Sequence, residues 1–396
     1  MPWLFGLVAF VIAAKKLVDG GGDLGIYLDV SREIGDPELN LYRAREDSGP
    51  WVYAPVVALP FQLLEGVLGV VATRWVWCAG MGVATALLLR ALVELMDRFG
   101  GLRPLQWAAF GLLFQRILAQ SCAHGQLSLW GGALVAMGVL ALVRCGDRAA
   151  GVLLGTAAAL KLTPGLFLPA LWLMRKPVAA SAMLVTLAAV VLVLPIPFWG
   201  WEEHVRQLQE FCVSTFKIFA SPEHAPIVED YPGPSIRGTL DYLLQERETT
   251  GIYVNVLDLS DGALAVVRTC YAIVLGGVIL WWFRFAGRHG AERAWIERAA
   301  AVTLAFSFFA PLTRTYHLAA ALLPCAMSCR GPRGARDVLW MFGALCFLST
   351  QTLRQKNLLG EAAWRFLDLA CVHHLALLAV LAWLMRESRR ALRERD

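Results

Sequence analysis

Residues 2–34 read PWLFGLVAFVIAAKKLVDGGGDLGIYLDVSREI. The run at 2–18 is apolar but for Lys15 and Lys16 near its end, close to the roughly 20 residues a helix needs to cross a bilayer. Gly20, Gly21 and Gly22 then end one helix, and Asp23 opens a shorter one. Asp23 and Tyr27, four residues apart, share a face of that second helix. The aspartate fits two readings. It is a favoured helix cap, because its carboxylate accepts a bond from a free N–H of the first turn. It is also a carboxylate held at a membrane surface, which is what a general base for a hydroxyl requires. The first segment has neither a charged leader nor a small-residue cleavage pattern, so it is expected to be a retained helix.

The whole chain agrees with a membrane reading. Of its 396 residues 58% are hydrophobic and 17% charged, against roughly 25% charged in a soluble domain, and the mean hydropathy is +0.56. Fifteen Trp and nineteen Phe suit helix ends at two lipid–water interfaces. The net charge of +5 comes from arginines in short loops, so it reports orientation and no nucleic-acid partner. Of the nine cysteines only Cys212 falls in a long polar stretch, which leaves no disulfide framework or zinc spacing.

Apolar stretches fall near 2–18, 51–66, 70–90, 104–121, 126–143, 150–173, 178–199, 263–283, 297–311, 316–328, 337–352 and 370–385. The arginine-rich tail RESRRALRERD places the C-terminus in the cytoplasm by the positive-inside rule, and counting back puts 19–50 and 200–262 on the external face. Two stretches are ambiguous: 51–66 carries Pro55, Pro60 and Gly66, and 150–173 is broken at KLTP. The expected fold is therefore all-α: one integral membrane domain over 1–396, with about 10–12 transmembrane or re-entrant helices, a first external loop at 19–50 and a large one at 200–262.

Five constellations stand out. After Asp23 and Tyr27, the first loop carries aromatics at intervals (Tyr42, Trp51, Tyr53), and loops this long between packed helices tend to be functional or disordered. The stretch AHGQLSL, 123–129, is either a polar hinge or a set of donors and acceptors, His124, Gln126 and Ser128, facing a sugar. Lys161 lies within AGVLLGTAAALKLTP, 150–164, where an ionisable group either faces a cavity or snorkels to an interface. In YPGPSIRGTLDYLL, 231–244, Ser235 and Arg237 sit in a turn, and the arginine is either solvated or a phosphate clamp. In APLTRTYH, 310–317, Arg314 and His317 interrupt two apolar segments. No cluster has metal-ligand spacing, so neither a metal nor a cofactor is expected, although Asp29 and Asp36 leave room for a loop-bound cation.

In order along the chain, these pieces resemble the GT-C class of membrane glycosyltransferases, and within it glycosyltransferase family 87. That family includes polyprenol-phosphate-mannose-dependent α-mannosyltransferases. DLGIY matches an Asp-[Phe/Leu]-x-x-Tyr element, WVYAPVVAL part of an aromatic-Tyr-Pro-Pro-Leu element, and GQLS a Gly-Gln-x-Asn element. AGVLLGTAAALKLTP matches its counterpart almost completely, while GPSIRG and APLTRTYH match theirs more loosely. The departures are Ala54 for a proline, Ser128 for an asparagine, Pro234 for a glutamine and Tyr316 for a histidine.

The resemblance implies transfer of a sugar, mannose by the likeness, from a polyprenyl-phosphate donor to a hydroxyl of a lipid or glycan acceptor. The active site would lie on the periplasmic or extracellular face of the cell membrane. It implies Asp23 as catalytic base, His317, Arg237, Arg314 and Lys161 at the donor phosphate, and Tyr27, Tyr53, His124, Gln126 and Ser235 about the sugar and acceptor. Two other readings remain: a transporter or flippase of lipid-linked substrates, which predicts matching broken helices in two halves, and a non-catalytic relative.

Overall fold

The computed structural model describes residues 2–34, 42, 51–220, 235–246, 255–310, 315–330 and 372–394, and among them the ordered elements are all helices. Helix α1 spans Pro2–Leu17 and α2 Asp23–Glu33. A 3-10 turn at Pro55–Ala58 leads into α3, Leu59–Arg98, which is interrupted at Gly69 (φ 77°, ψ 165°). Then follow α4 (Pro104–His124), α5 (Leu127–Val143) and α6 (Asp147–Leu160). A second 3-10 turn, Thr163–Leu166, precedes α7 (Phe167–Leu173). Helix α8 (Pro177–Ala188) runs through a π turn at Ala189–Val193 towards α9 (Ile196–Trp199) and α10 (Trp201–Ala220). The remainder are α11 (Ile236–Leu244), α12 (Asp261–Ala286), α13 (Ala291–Phe309), a 3-10 segment at Thr315–Ala321, α14 (Leu322–Ser328) and α15 (Val372–Arg393).

Three of these stretches are long and apolar enough to cross a membrane: Pro55–Arg98, Pro177–Trp199 and Asp261–Ala286. Their surfaces carry large apolar side chains, such as Val67, Val71, Val185, Val266 and Ile273. So much exposed apolar area is tolerable only against lipid or a partner. The protein is thus an all-α membrane protein. Helices at 127–143, 163–173 and 317–328 are apolar but shorter. The apolar stretch at 337–352 lies outside the described residues.

Both stretches that resist a simple span count are irregular. The first begins as the 3-10 turn at Pro55, since proline suits a first helical position, and its helix is interrupted at Gly69. In the second, α6 stops at Leu160, and Lys161 is extended (φ −154°, ψ 130°) just ahead of Pro164. Small residues set the close packing. A Cβ on Gly6 of α1 would lie 2.7 Å from the Gly82 carbonyl of α3. On α6, a Cβ on Gly155 would lie 2.7 Å from the Met183 carbonyl of α8, and Gly151, four residues earlier, meets the Ala179 carbonyl of the same helix. This small-xxx-small spacing lets two backbones touch in a membrane protein.

The chain divides into two compact units, one formed by residues 1–91 and 118–227, the other by 92–117 and 228–396.

Candidate active site

The site lies in the first unit and is built from two helix ends. At the end of α1 the Gly20 amide bonds to the Leu17 carbonyl (3.0 Å) and the Gly21 amide to the Lys16 carbonyl (3.2 Å), with Gly20 at φ +87°. The end of α4 repeats this pattern. The Gly125 amide bonds to the Cys122 carbonyl (3.0 Å), the Gln126 amide to the Ser121 carbonyl (2.9 Å), and Gly125 has φ +66°. Both are Schellman endings, which satisfy carbonyls at a helix terminus through a left-handed residue.

The two ends touch at Gly22. It has φ +73°, and a Cβ there would lie 2.9 Å from the His124 carbonyl and 3.1 Å from that of Ala123. Only glycine meets both conditions without strain. The glycines of the first loop therefore serve to turn the chain and to press the start of α2 against the α4–α5 turn. Arg74 of α3 holds the loop from below, donating to the Val18 carbonyl at 3.0 Å.

Asp23 is the first residue of α2. Gly22 is the cap, and no side chain caps this helix. The cap reading of Asp23 thus gives way, because the Gly22 backbone takes the cap position and leaves the carboxylate for other partners. Those partners lie 103 and 101 residues downstream, at Gln126 and His124. Gln126, fully buried, donates from Nε2 to Asp23 Oδ2. His124 Nδ1 lies 3.8 Å from Oδ1. The Asp23 side chain is one-quarter exposed and that of His124 about one-third, so the carboxylate is braced on one side and open on the other. Nearby, Lys161 Nζ donates to Ser128 Oγ at 3.0 Å; burial lowers the Lys161 pKa to about 8, and the Asp23 charge opposes that shift.

Beneath the carboxylate, Tyr27 is buried in a nest of rings. Trp51 and Tyr53 meet it edge-on at 5.8 Å each, Phe61 lies at 5.1 Å and Trp77 at 6.4 Å. Its hydroxyl is 3.4 Å from that of Tyr53. Burial foremost, then the charges of Tyr53 and Asp23, holds the Tyr27 phenol well above its ordinary pKa, so it remains neutral. Trp77 Nε1 donates to the Gly125 carbonyl at 3.1 Å. One aromatic cluster therefore fixes both α2 and the turn that supplies His124 and Gln126.

Of the residues expected at the site, Asp23, Tyr27, Tyr53, His124, Gln126 and Lys161 are brought together here, with Ser128 beside them. Ser235, Arg237 and His317 belong to the second unit. Ser235 caps α11, accepting from the Gly238 amide at 3.1 Å. Arg237 lies 3.8 Å from the buried Asp241, which Arg268 approaches at 3.4 Å. His317 lies on the 3-10 segment at Thr315–Ala321, and Arg314 is outside the described residues. Trp77 and Arg74 were not singled out from sequence. An arginine and a tryptophan within an otherwise apolar helix were the signals available. Among the described residues no group of His, Cys, Asp or Glu is placed to hold a metal ion.

The fold is that of a helical membrane protein, and within it a part-exposed carboxylate stands among amide and hydroxyl groups. The model of Glycosyltransferase family 87 matches residues 51–311, about two thirds of the chain, and the chain belongs to that family. It is a membrane glycosyltransferase. The match contains Tyr53, His124, Gln126, Ser128 and Lys161, while Asp23 precedes it. None of the curated proteins compared matches the chain.

Proposed function

We propose that the protein moves a sugar, mannose by its family likeness, from a polyprenyl-phosphate donor to a hydroxyl of a lipid or glycan acceptor. The reaction takes place on the external face of a multi-pass membrane domain, with Asp23 as base. The observation that carries this reading is the placement of Asp23: it is free of any capping duty, braced by buried Gln126, part-exposed, and within electrostatic reach of Lys161.

In the proposed step the acceptor oxygen attacks the anomeric carbon from the face opposite the lipid phosphate. The new C–O bond forms as the bond to the phosphate oxygen breaks. The electron pair leaves with the phosphate, and the hydroxyl proton passes to an Asp23 oxygen. A single displacement inverts the anomeric configuration and needs only one carboxylate, unlike the two-carboxylate arrangement of most glycoside hydrolases. The departing phosphate is already a stable anion, so it requires a cation aimed at the developing charge and no strong acid. Lys161 takes that role. Buried Gln126 holds Asp23, and part-exposed His124 contacts the sugar or acceptor hydroxyls, with Tyr27 and Tyr53 packed behind them. Arg237, Ser235, Arg314 and His317 are left out of this mechanism, the first two because an ion pair and a helix cap already account for them.

The test is transfer by the full chain in proteoliposomes supplied with polyprenyl-phosphate-mannose or a nucleotide-mannose, the product anomer being read by NMR. Transfer from the lipid donor alone, with inverted configuration, is expected. Transfer from the nucleotide sugar alone, or retention of configuration, would overturn the reading.

A further inference from the structure

In the second unit, a groove of about 940 Å³ runs between α12 and α15. Its wall on α15 is one continuous helical stripe at the i, i+3, i+4, i+7 spacing. The upper half is Leu378, Leu381, Ala382 and Met385, and the lower half is Arg386, Arg389, Arg390 and Arg393. Over these 15 steps the stripe is about 22 Å long. The facing wall on α12 is wholly apolar beyond Tyr271, with Val274, Leu275 and Val278. The Tyr271 hydroxyl meets buried His374 at 2.8 Å and ties the two walls together at the apolar end. At the other end Arg389 lies 4.6 Å over the ring of Trp281, which is 41% exposed. Among the described residues no carboxylate lines the groove, and Glu394, which pairs with Arg390 at 3.1 Å, offsets only part of the charge.

We propose that this groove binds an anionic phospholipid of the surrounding membrane. The phosphate headgroup is held by the four arginines, and an acyl chain lies along the apolar half. The argument is one of matched pattern. An oily channel would accept any lipid tail, and an arginine cluster any anion, but a single stripe that changes from apolar to cationic halfway selects a molecule that is itself oily at one end and anionic at the other. A tryptophan stacked under one arginine suits the headgroup level of a bilayer. Basic pockets between membrane helices on the cytoplasmic side are where anionic headgroups are held, and the arginine bias assigns this end of α15 to that side.

The test is native mass spectrometry of the full chain, titrated in detergent with phosphatidylglycerol or phosphatidylcholine, with and without millimolar inorganic phosphate. Wild type is expected to retain phosphatidylglycerol about tenfold more than phosphatidylcholine, and inorganic phosphate should not displace it. Changing Arg386, Arg389, Arg390 and Arg393 together to Gln should abolish the preference. The Arg284→Gln/Arg288→Gln pair, outside the groove, should keep it. Ala382→Trp, which fills the apolar half and leaves every arginine in place, should also lose the lipid. Should the fourfold variant fail to fold, Arg389→Gln alone is expected to lower retention about fivefold. Equal retention of the two lipids by wild type, or a preference that survives the arginine changes, would overturn the proposal. So would displacement by inorganic phosphate together with an unaffected Ala382→Trp variant, which would mark a free-anion site.

Discussion

Gln126 contributes to the proposed site in a way its sequence position does not suggest: buried completely, it spends an amide N–H on the carboxylate of Asp23. Gln126→Leu keeps the volume and removes the donor, so the carboxylate loses its brace. The expected result is a fall in kcat of about tenfold with KM nearly unchanged, because a misplaced base is felt in the transition state and little in donor binding. Lys161→Met retains the apolar stem and removes the charge. If Lys161 stabilises the departing phosphate, kcat should fall by about 10²–10³, while Lys161→Arg should recover part of it. Steady-state kinetics in proteoliposomes checks both. At this scale the sequence was informative about ionisable groups in unexpected company, Asp23 after three glycines and Lys161 inside an apolar run. It could not pair them. The bonds from Gln126 to Asp23 and from Lys161 to Ser128 join residues 103 and 33 positions apart, and such pairings arise from tertiary packing, which no local spacing encodes.

Helix ends, more than helix faces, shape this site. Gly22 combines a left-handed backbone with a 2.9 Å approach to the His124 carbonyl. Gly22→Ala should therefore lower stability by about 1–3 kcal/mol and shift the start of α2 away from Gln126. Chemical denaturation of the solubilised protein, with transfer measured in parallel, checks this. Tyr27 separates packing from polarity. Tyr27→Phe loses the 3.4 Å hydroxyl contact with Tyr53 and the bond with the Leu127 backbone and should cost about 1–2 kcal/mol. Tyr27→Ala empties the centre of the aromatic nest and should cost about 3–5 kcal/mol. The break at KLTP, the second helix from Asp23 and the shared face of Asp23 and Tyr27 were all legible, because proline, glycine and the helical repeat act locally. Of the two readings of Asp23 the cap is the one that gives way, because Asp is a good cap in isolation but here Gly22 holds the cap position, pressed against His124. The Schellman ending at Gly125 was also missed. A single glycine in a polar hinge carries no mark of the Trp77 bond that fixes it.

Across the whole molecule, composition and hydropathy sufficed for an all-α membrane protein, and the ordered series of short elements sufficed for the glycosyltransferase family. Individual spans were less legible, since several helices are shorter than a bilayer and two begin or break at prolines or glycines. The arginine asymmetry gives a topology that can be tested directly. Cys212, exposed on α10 within the stretch 200–262, should react with a membrane-impermeant maleimide applied to intact cells. A cysteine introduced by Asp396→Cys should react only after permeabilisation. The reverse pattern would invert the protein and move the proposed chemistry to the cytoplasmic face.

The most direct test of the central claim is the rate of sugar transfer by Asp23→Asn in proteoliposomes with a polyprenyl-phosphate-sugar donor, measured beside donor binding. The asparagine keeps the shape and can still bond to Gln126 but cannot take the acceptor proton, so transfer should fall by about 10²–10⁴ with donor binding within about threefold of wild type. Transfer at close to the wild-type rate would show that Asp23 is not the base.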